Sequence, residues 1–192
     1  MSLAERWPLP DHHELRDELI AAWDRPGYHD QLHLTEVLDR IDQLRSAGAE
    51  VDVTVVALAA WFHDAVYDGG ADDEELSAQW AESVLPAAHA EEVARLVRMT
   101  AHHRPTDDDP GGCALSDADL AILAAPRERY ETYAAGVRAE FAHVEDADFR
   151  AGRAAVLRDL AAKPHLFHTP QARDLWESTA RANLEREISE LA

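Results

Sequence analysis

The chain has a single cysteine, no basic run and no long apolar run. With Cys113 alone, neither an intramolecular disulfide nor a cysteine-based zinc site can form, which agrees with a reducing compartment. Because Cys113 follows two glycines, we interpret it as a small residue entering a helix rather than a catalytic thiol. No apolar stretch reaches the ~18 residues of a membrane span, and the N-terminus lacks the pattern of a secretory signal. These absences predict a cytoplasmic protein with no membrane partner.

Positive charge is also scarce. Lys and Arg together number 18 against 38 Asp and Glu, which gives a formal net charge of -20. Nucleic acids and anionic membranes are bound through clustered Lys and Arg, so we expect neither as a partner. A small phosphorylated substrate would need local positive charge, and a bound metal ion would supply it.

Alternating strand patterns are absent, whereas apolar residues recur at spacings of three and four, as in Leu15, Leu19, Ile20 and Trp23. This periodicity predicts an all-α fold. The length suits one domain, so we expect residues 1–192 to form a single compact multi-helix bundle. Segment 104–112 is predicted to be a polar loop, and Ser116 is predicted to cap the helix after it. The expected helices, within roughly ±2 to 4 residues, are 11–24, 31–47, 52–67, 73–84, 89–101, 116–124, 127–143, 146–163 and 170–190.

The most informative feature is a His-Asp pair, His63-Asp64, at the end of an apolar segment that starts at Val53. Burying an unpaired ionised group costs several kcal/mol unless a partner or a metal compensates. Upstream, His29 and His33 are four residues apart and would project from one helix face. Downstream lie the His102-His103 pair and the carboxylates of Asp117 and Asp119. Such a mixed nitrogen and oxygen set suits Mn, Fe, Co, Ni or Zn and leaves positions for water and substrate.

The order of these residues resembles the HD-domain metal-dependent phosphohydrolase superfamily, in particular a branch of small bacterial predicted hydrolases. The resemblance covers most of the chain and is specific for the superfamily, not for a substrate. It implies an HD-like helical bundle and a phosphohydrolase that acts on a small phosphoester, with nucleotides among the candidates. The similar segments are 28–33, 60–67, 73–78, 100–103 and 117–120, and the similarity continues through Tyr130, Tyr133, Arg138, Phe149, Arg153 and 180–184.

By this resemblance, His33, His63, Asp64 and Asp119 ligate one divalent ion, which is Mn, Fe, Co, Ni, Zn or Mg, and a second ion stays open. Asp119 is preferred to Asp117 because the family's last ligand stands in an Ala-Asp-Leu-like setting. Asp117 is expected to orient a histidine or to be the alternate ligand.

The Tyr28-His29 pair is similar to the start of the corresponding helix in cyclic nucleotide phosphodiesterases of the same superfamily. There, the histidine before the first ligand protonates the leaving oxygen, a role that His29 would inherit. The alternative for His29 is packing on Trp61 or Tyr28, and Tyr28 itself is expected to touch the substrate or support a ligand. His103 is favoured over His102 for a phosphate contact or an auxiliary ligand.

Further charged residues have two interpretations each. Asp68, Glu74 and Glu75 could bind metal-linked water, a second ion or a substrate hydroxyl, but acids at a helix start are equally expected from the helix dipole. Arg138 and Arg153 could clamp a phosphate, since guanidinium binds phosphate with two hydrogen bonds. Ion pairing with neighbours such as Glu140 or Asp146 is the favoured interpretation in so acidic a chain.

Two other functions are compatible with the sequence. An HD-type di-iron oxygenase needs extra histidines; His89, His102 and His103 are available, but none lies close behind His63-Asp64, so hydrolysis is favoured. A non-catalytic module that binds a nucleotide or a protein partner, with a structural metal, is the other alternative. The oligomeric state is open, because Leu184, Ile188 and Leu191 of the last helix suit either the core or a dimer interface.

Overall fold

A computed structural model describes the whole chain, residues 1–192, as helices and connections without a strand, which confirms the predicted all-α fold. None of the helices combines the length and the apolar character that a bilayer crossing requires. Short 3₁₀ turns form at Leu3–Arg6 and Ala121–Ala124. The nine α-helices are α1 (His13–Ala22), α2 (Gln31–Ser46), α3 (Val53–Phe62), α4 (Asp73–Val84), α5 (Ala87–Thr100), α6 (Pro110–Leu120), α7 (Arg127–Glu140), α8 (Asp146–Ala162) and α9 (Pro170–Leu191).

Helix α3 is the centre of the core. Every residue from Val55 to Phe62 is buried, because this helix is apolar on all sides. Helices α2, α5 and α6 pack around it, and α4 packs on α5. In α9, Leu184 is buried while Ile188 and Leu191 pack against the same core, so these residues belong to the core rather than to a free face.

Helix α3 ends at Phe62, whereas the sequence predicted that it continues to about residue 67. Two side chains, one from the end of α1 and one from the segment after it, donate hydrogen bonds to carbonyls at this helix end. Trp23 Nε1 donates to the Trp61 carbonyl at 2.9 Å, and Arg25 donates to the Asp64 carbonyl. Carbonyls at a helix end have no partner within the helix, so these donors stabilise the termination. His63 and Asp64 therefore lie at a helix terminus, where the chain turns.

Helix α6 begins at Pro110, six residues before the predicted start at Ser116. The Asp109 side chain accepts a hydrogen bond from the Gly112 N–H at 2.9 Å, so Asp109 is the N-cap and Pro110 takes the first helical position. This favourable start outweighs the weak helix propensity of Gly111 and Gly112. The predicted loop 104–112 is therefore shorter, and Ser116 is buried inside the helix.

Asp117 connects α6 to the start of α9. Its carboxylate accepts hydrogen bonds from the backbone N–H groups of His168 at 2.6 Å and Thr169 at 2.7 Å, and from the Thr169 hydroxyl at 2.7 Å. Burial raises the pKa of the Asp117 carboxyl, and the three hydrogen bonds act in the opposite direction. The connection between α8 and α9 is thereby held beside α6.

The stretch 180–184, which is part of the family resemblance, stabilises the fold. Arg181 donates to the carbonyls of Ala161, Lys163 and Pro164, and so holds the same α8–α9 connection from the other side. The Asn183 amide donates to two carbonyls at the end of the second 3₁₀ turn, at 2.8 and 3.0 Å. Both residues donate to backbone carbonyls at the ends of helical segments or just beyond them.

Replacing Asp117 by Ala should lower the free energy of unfolding by about 2–6 kcal/mol, because two backbone N–H groups lose their acceptor at ~1–3 kcal/mol each. Chemical denaturation followed by far-ultraviolet circular dichroism measures the change. Asp108→Ala, which removes an exposed carboxylate from the preceding connection, should change stability by less than ~0.5 kcal/mol. An Asp117→Ala protein as stable as wild type would contradict the role of this carboxylate in holding α9.

Candidate metal centre

Two buried histidines meet where α2 starts and α3 ends. His33 lies in the first turn of α2, whose N-cap Asp30 accepts from the N–H groups of Leu32 and His33 at 2.9 and 3.0 Å. His63 follows the last residue of α3. Their Nε2 atoms are 3.1 Å apart, and both side chains are 1% exposed. The structure therefore brings together two imidazoles that are 30 residues apart in sequence.

The orientation of His63 follows from one backbone hydrogen bond. Its Nδ1 is 2.7 Å from the carbonyl of Ala60, and because a carbonyl only accepts, Nδ1 carries the hydrogen. In the neutral imidazole, the lone pair is then on Nε2, which faces His33. This is the tautomer that a metal ligand requires, fixed by a hydrogen bond on the other ring nitrogen.

Two carboxylates complete the cluster. Asp64 Oδ2 lies 3.3 Å from His63 Nε2 and 3.8 Å from His33 Nε2. Asp119 Oδ1, from the end of α6, lies 3.2 Å from His33 Nε2 and 3.7 Å from His63 Nε2. The carboxylate side chains are 14% and 15% exposed, so they lie nearer to solvent than the two imidazoles.

The donor atoms of His33, His63 and Asp64 are spaced closely enough to share one metal ion. Two nitrogens that each lie ~2.1 Å from an ion and subtend roughly 90–110° are about 3.0–3.4 Å apart, which matches the His33–His63 separation of 3.1 Å. His33, His63 and Asp64 each offer one ligand atom within 4.8 Å of the others, so these three residues could hold a metal ion. Asp119 reaches both imidazoles from the other side. Two nitrogens with carboxylate oxygens suit borderline divalent ions.

Burial and charge act against each other in this cluster. Burial lowers the pKa of His33, although the Asp119 carboxylate opposes the shift. For His63, burial acts in the same direction, but the charges of Asp64 and Asp119 outweigh it and raise the pKa to about 9. Burial likewise opposes the ionisation of Asp119, yet the two imidazoles hold its pKa well below its usual range. The cluster thus favours a positive charge at its centre, and a metal cation supplies one without protonating an imidazole.

His29 lies at the edge of the cluster and is held by Glu140 at the end of α7. Its Nδ1 donates to the Glu140 carboxylate at 3.0 Å, and its backbone N–H donates to the same carboxylate at 2.9 Å. The ring stacks on Tyr67 with centroids 4.0 Å apart and contacts Tyr28 edge-on at 4.8 Å. Its Nε2 is 4.0 Å from Asp64 Oδ2. His29 therefore combines the predicted Tyr28 contact with a nitrogen aimed at the site.

The close approach of α7 to the segment that carries Tyr28 and His29 depends on two glycines. Gly27 has a φ of +117°, and a Cβ there would lie 2.4 Å from Glu140 Oε1. At Gly136 in α7, a Cβ would lie 3.2 Å from the backbone nitrogen of Tyr28. The positive φ and the approach of Glu140 disfavour a side chain at Gly27, and a Cβ at Gly136 would force Tyr28 to shift by a few tenths of an ångström, so glycine at both positions favours the Glu140–His29 contact. Burial opposes the ionisation of Glu140, but its hydrogen bonds with His29 lower its pKa overall.

His103 approaches the other oxygen of Asp119. His103 Nε2 is 3.5 Å from Asp119 Oδ2, and His103 Nδ1 is within hydrogen-bonding distance of the buried Ser116 hydroxyl, at 3.1 Å. The backbone of His103 is left-handed, with a φ of 48°, and its side chain is 20% exposed. Burial lowers the pKa of His103, Asp119 opposes this, and the positive charge of Lys163 acts with burial.

Several predicted site residues lie outside the cluster. Arg138 donates to the carbonyls of Phe141 and Val144 and lies 3.5 Å from Asp146. This contact agrees with the ion pairing that the sequence analysis favoured over a phosphate clamp. Arg153 binds the carboxylate of Glu187 at 2.8 and 3.1 Å, a partner that the sequence did not suggest. Both guanidinium groups are therefore already bound within the protein.

The predicted acids and the second histidine are also placed elsewhere. Glu75 binds Arg98 at 2.7 and 2.9 Å on the surface, and Glu74 lies beside it in the first turn of α4. His102 is exposed. Asp117 points to the start of α9 instead of to a histidine or an ion, because its three hydrogen bonds are made there.

A cavity of about 390 Å³ lies next to residues that contact His29. It borders Tyr67 and Glu140, which contact His29, and Arg25, whose Nε donates to the His29 carbonyl at 2.5 Å. Asp68 also lines it, so this predicted residue adjoins a space that a ligand could enter. A cavity of this size is within the range of small-molecule sites.

Three residues around the cluster were missed as site residues by sequence reasoning. Glu140 was considered only as an ion-pair partner of Arg138, and it lies 111 residues from His29. Ser116 was interpreted as a helix cap. Lys163 could have been singled out from the sequence, since it is the only lysine of the chain. It is half-buried and forms no salt bridge despite the excess of acids.

No protein-family model, curated protein or solved structure matches this chain. The resemblance to the HD-domain superfamily therefore remains a prediction from the sequence motifs.

Removing Asp64 should cost most of the metal affinity. Wild-type protein at a free ion concentration 100 times Kd should gain ~2.7 kcal/mol of stability, or roughly 5–10 °C in Tm for a chain of this size. Loss of a residue that only supports a metal ligand weakens metal affinity by ~10–100-fold. Because Asp64 is proposed as a ligand itself, Asp64→Ala should weaken the affinity by at least that factor. Titration calorimetry with Mn²⁺ measures both proteins, and helical content should not change.

The matched control is Asp24→Ala, which removes an exposed carboxylate from the segment before His29 and should leave Mn²⁺ affinity unchanged. Equal affinity in Asp64→Ala and wild type would refute the assignment of Asp64 as a ligand.

Proposed function

We propose that this chain is a divalent-metal-dependent phosphohydrolase of the HD-domain type, acting on a small phosphoester. The observation that carries the proposal is the meeting of His33, His63, Asp64 and Asp119 within 3.1–3.8 Å contacts. The carboxylates and the flanking His29 and His103 are 14–20% exposed, so the cluster borders solvent on one side.

The four donor residues would hold the ion. When bound, a divalent ion supplies Lewis acidity towards a phosphoryl oxygen and a nucleophilic water at neutral pH. In the hydrolysis, a bond forms between the water oxygen and phosphorus, and the bond from phosphorus to the leaving oxygen breaks. The leaving alkoxide then needs a proton.

His29 is the proton donor in this proposal. Its Nδ1–H is bonded to Glu140, so the proton that His29 would donate is the one on Nε2. Stacking on Tyr67 fixes the ring plane. Nε2 is 4.0 Å from Asp64 Oδ2, which places the acid at the edge of the ion site rather than within the ligand set. Glu140 acts through His29 and is a positioning residue.

In this proposal, Lys163 and His103 contact the phosphate group of the substrate. The α8–α9 connection that carries Lys163 is held beside α6 by Asp117 and Arg181. The charge of Lys163 acts on His103, and His103 contacts Asp119. An ammonium that forms no salt bridge in so acidic a chain is available to an anion. Arg138 and Arg153 are not proposed for this role, because protein groups already bind both.

Phosphate release from a panel of phosphoesters tests the proposal directly. The purified protein is analysed for metal, stripped with a chelator and restored separately with Mn²⁺, Fe²⁺, Co²⁺, Ni²⁺, Zn²⁺ or Mg²⁺. The proposal expects turnover that depends on the ion and is lost in Asp64→Ala. Tight nucleotide binding without turnover under any ion would favour a binding module instead, and iron with an oxygen-dependent absorbance change would favour an oxygenase.

His29→Gln should reduce kcat by about 10²–10⁴-fold, the usual contribution of a general acid, while Mn²⁺ affinity stays at the wild-type value. Glu140→Gln should give a smaller loss of kcat in the same direction, because the ring remains but is less well oriented. Steady-state kinetics and calorimetry on the same preparations separate chemistry from metal loss. A His29→Gln enzyme with wild-type kcat would remove His29 from the mechanism.

Lys163→Met should raise KM for the phosphoester by about 10–100-fold, because a hydrogen bond to a charged group contributes ~1.5–3 kcal/mol. Lys163→Arg should recover most of the affinity. Arg158→Met makes the same change of charge at an exposed position of α8 and should leave KM near wild type. If both methionine variants have the same KM, the effect is one of net charge, and Lys163 is not a substrate contact.

A further inference from the structure

The hydroxyl of Tyr28 is buried and has no hydrogen-bond partner in the protein. The side chain cannot easily turn it towards solvent, because the ring lies between His33 and Tyr133, each with ring centroids 4.6 Å from its own. Tyr28 as a whole is 6% exposed. An unpaired buried hydroxyl is costly, and proteins commonly satisfy such groups with an ordered water.

A small cavity lies beside this ring. Its volume is about 10 Å³, and its polar lining residues are Tyr28, His33, Glu36, Arg40 and Asp119. About 10–15 Å³ is the minimum for one water molecule, which also needs two to four polar partners. The cavity has the size for one water and more than enough polar groups around it.

The chemistry of the lining indicates which groups such a water would join. A phenol carries its hydrogen at neutral pH, so the Tyr28 hydroxyl can donate. The Asp119 carboxylate accepts. Its Oδ1 faces the imidazoles and its Oδ2 faces His103, and each carboxylate oxygen has a second lone pair for a further bond.

We infer that one buried water bridges the Tyr28 hydroxyl and the Asp119 carboxylate, and that Tyr28 thereby positions Asp119 for the metal. Tyr28 donates to the water, and the water donates to Asp119. The water site itself is independent of the proposed hydrolase function, whereas the consequence for metal binding rests on it. Tyr28 is a positioning residue, since the buried ring does not reach a substrate.

Tyr28→Phe tests the inference because it keeps the ring and removes only the donor. In chelator-treated protein, loss of a water-bridged hydroxyl should lower Tm by about 2–4 °C, the shift for ~1 kcal/mol in a chain of this size. If the hydroxyl is simply unpaired, its removal relieves a penalty, and Tm should stay equal or rise. The sign of the shift decides between these cases without any metal or turnover.

Metal affinity gives the second readout. Tyr28→Phe should weaken Mn²⁺ binding by about 10-fold, at the lower end of the effect of a ligand's supporting partner. Tyr133→Phe is the matched control: it belongs to the same ring cluster, but its hydroxyl interacts with Arg153 and it does not line the cavity. Its Mn²⁺ affinity should equal that of wild type. Equal affinity in Tyr28→Phe and wild type would overturn the positioning role.

A high-resolution crystal structure of the wild-type protein gives the third readout. It should show a water within ~3.2 Å of both Tyr28 Oη and an Asp119 oxygen, and the Tyr28→Phe crystal should lose or displace it. A dry cavity in the wild type would overturn the inference. A protein that shows the water but releases no phosphate would refute the proposed function and leave the water bridge standing.

Discussion

The structure around the candidate site depends on one electrostatic constraint: two imidazole nitrogens 3.1 Å apart are buried together with two carboxylates that contact them. The two facing imidazole nitrogens can share at most one hydrogen bond, and the two carboxylates repel each other. Burying such a group is costly without positive charge among its members. A proton can supply one charge, as the raised pKa of His63 indicates, but a divalent ion compensates both carboxylates at once and leaves the imidazoles neutral.

The fold holds this unfavourable group in place through hydrogen bonds made away from the donor atoms. Ala60 fixes the His63 tautomer, Asp30 caps the helix that carries His33, and Ser116 lies against His103. Outer partners of this kind orient metal ligands before the ion binds. The electrostatic free energy of bringing like charges together is offset during folding by the packing of α2, α3 and α6 on an apolar core.

Charge in the rest of the chain is divided between stability and the site. Arg153 and Glu187 form a largely buried pair, Arg181 binds carbonyls of the α8–α9 connection, and Asp117 binds the start of α9. A strongly acidic chain thus uses its arginines mainly as internal connectors. Lys163 stays free of salt bridges near His103, which is why the single lysine, rather than an arginine, is proposed to meet the phosphate.

The sequence by itself determined the helical class, the approximate helices and the candidate ligands, because apolar periodicity and the His-Asp order are local properties. It did not determine where α3 stops or where α6 starts: distant donors from Trp23 and Arg25 end the first, and the Asp109 cap outweighs two glycines at the second. Glu140, 111 residues from His29, and the use of Asp117 were decided by tertiary structure alone. Hydrogen bonds of that kind depend on which surfaces pack together, and packing brings the side chains of distant segments within reach only after the core has formed.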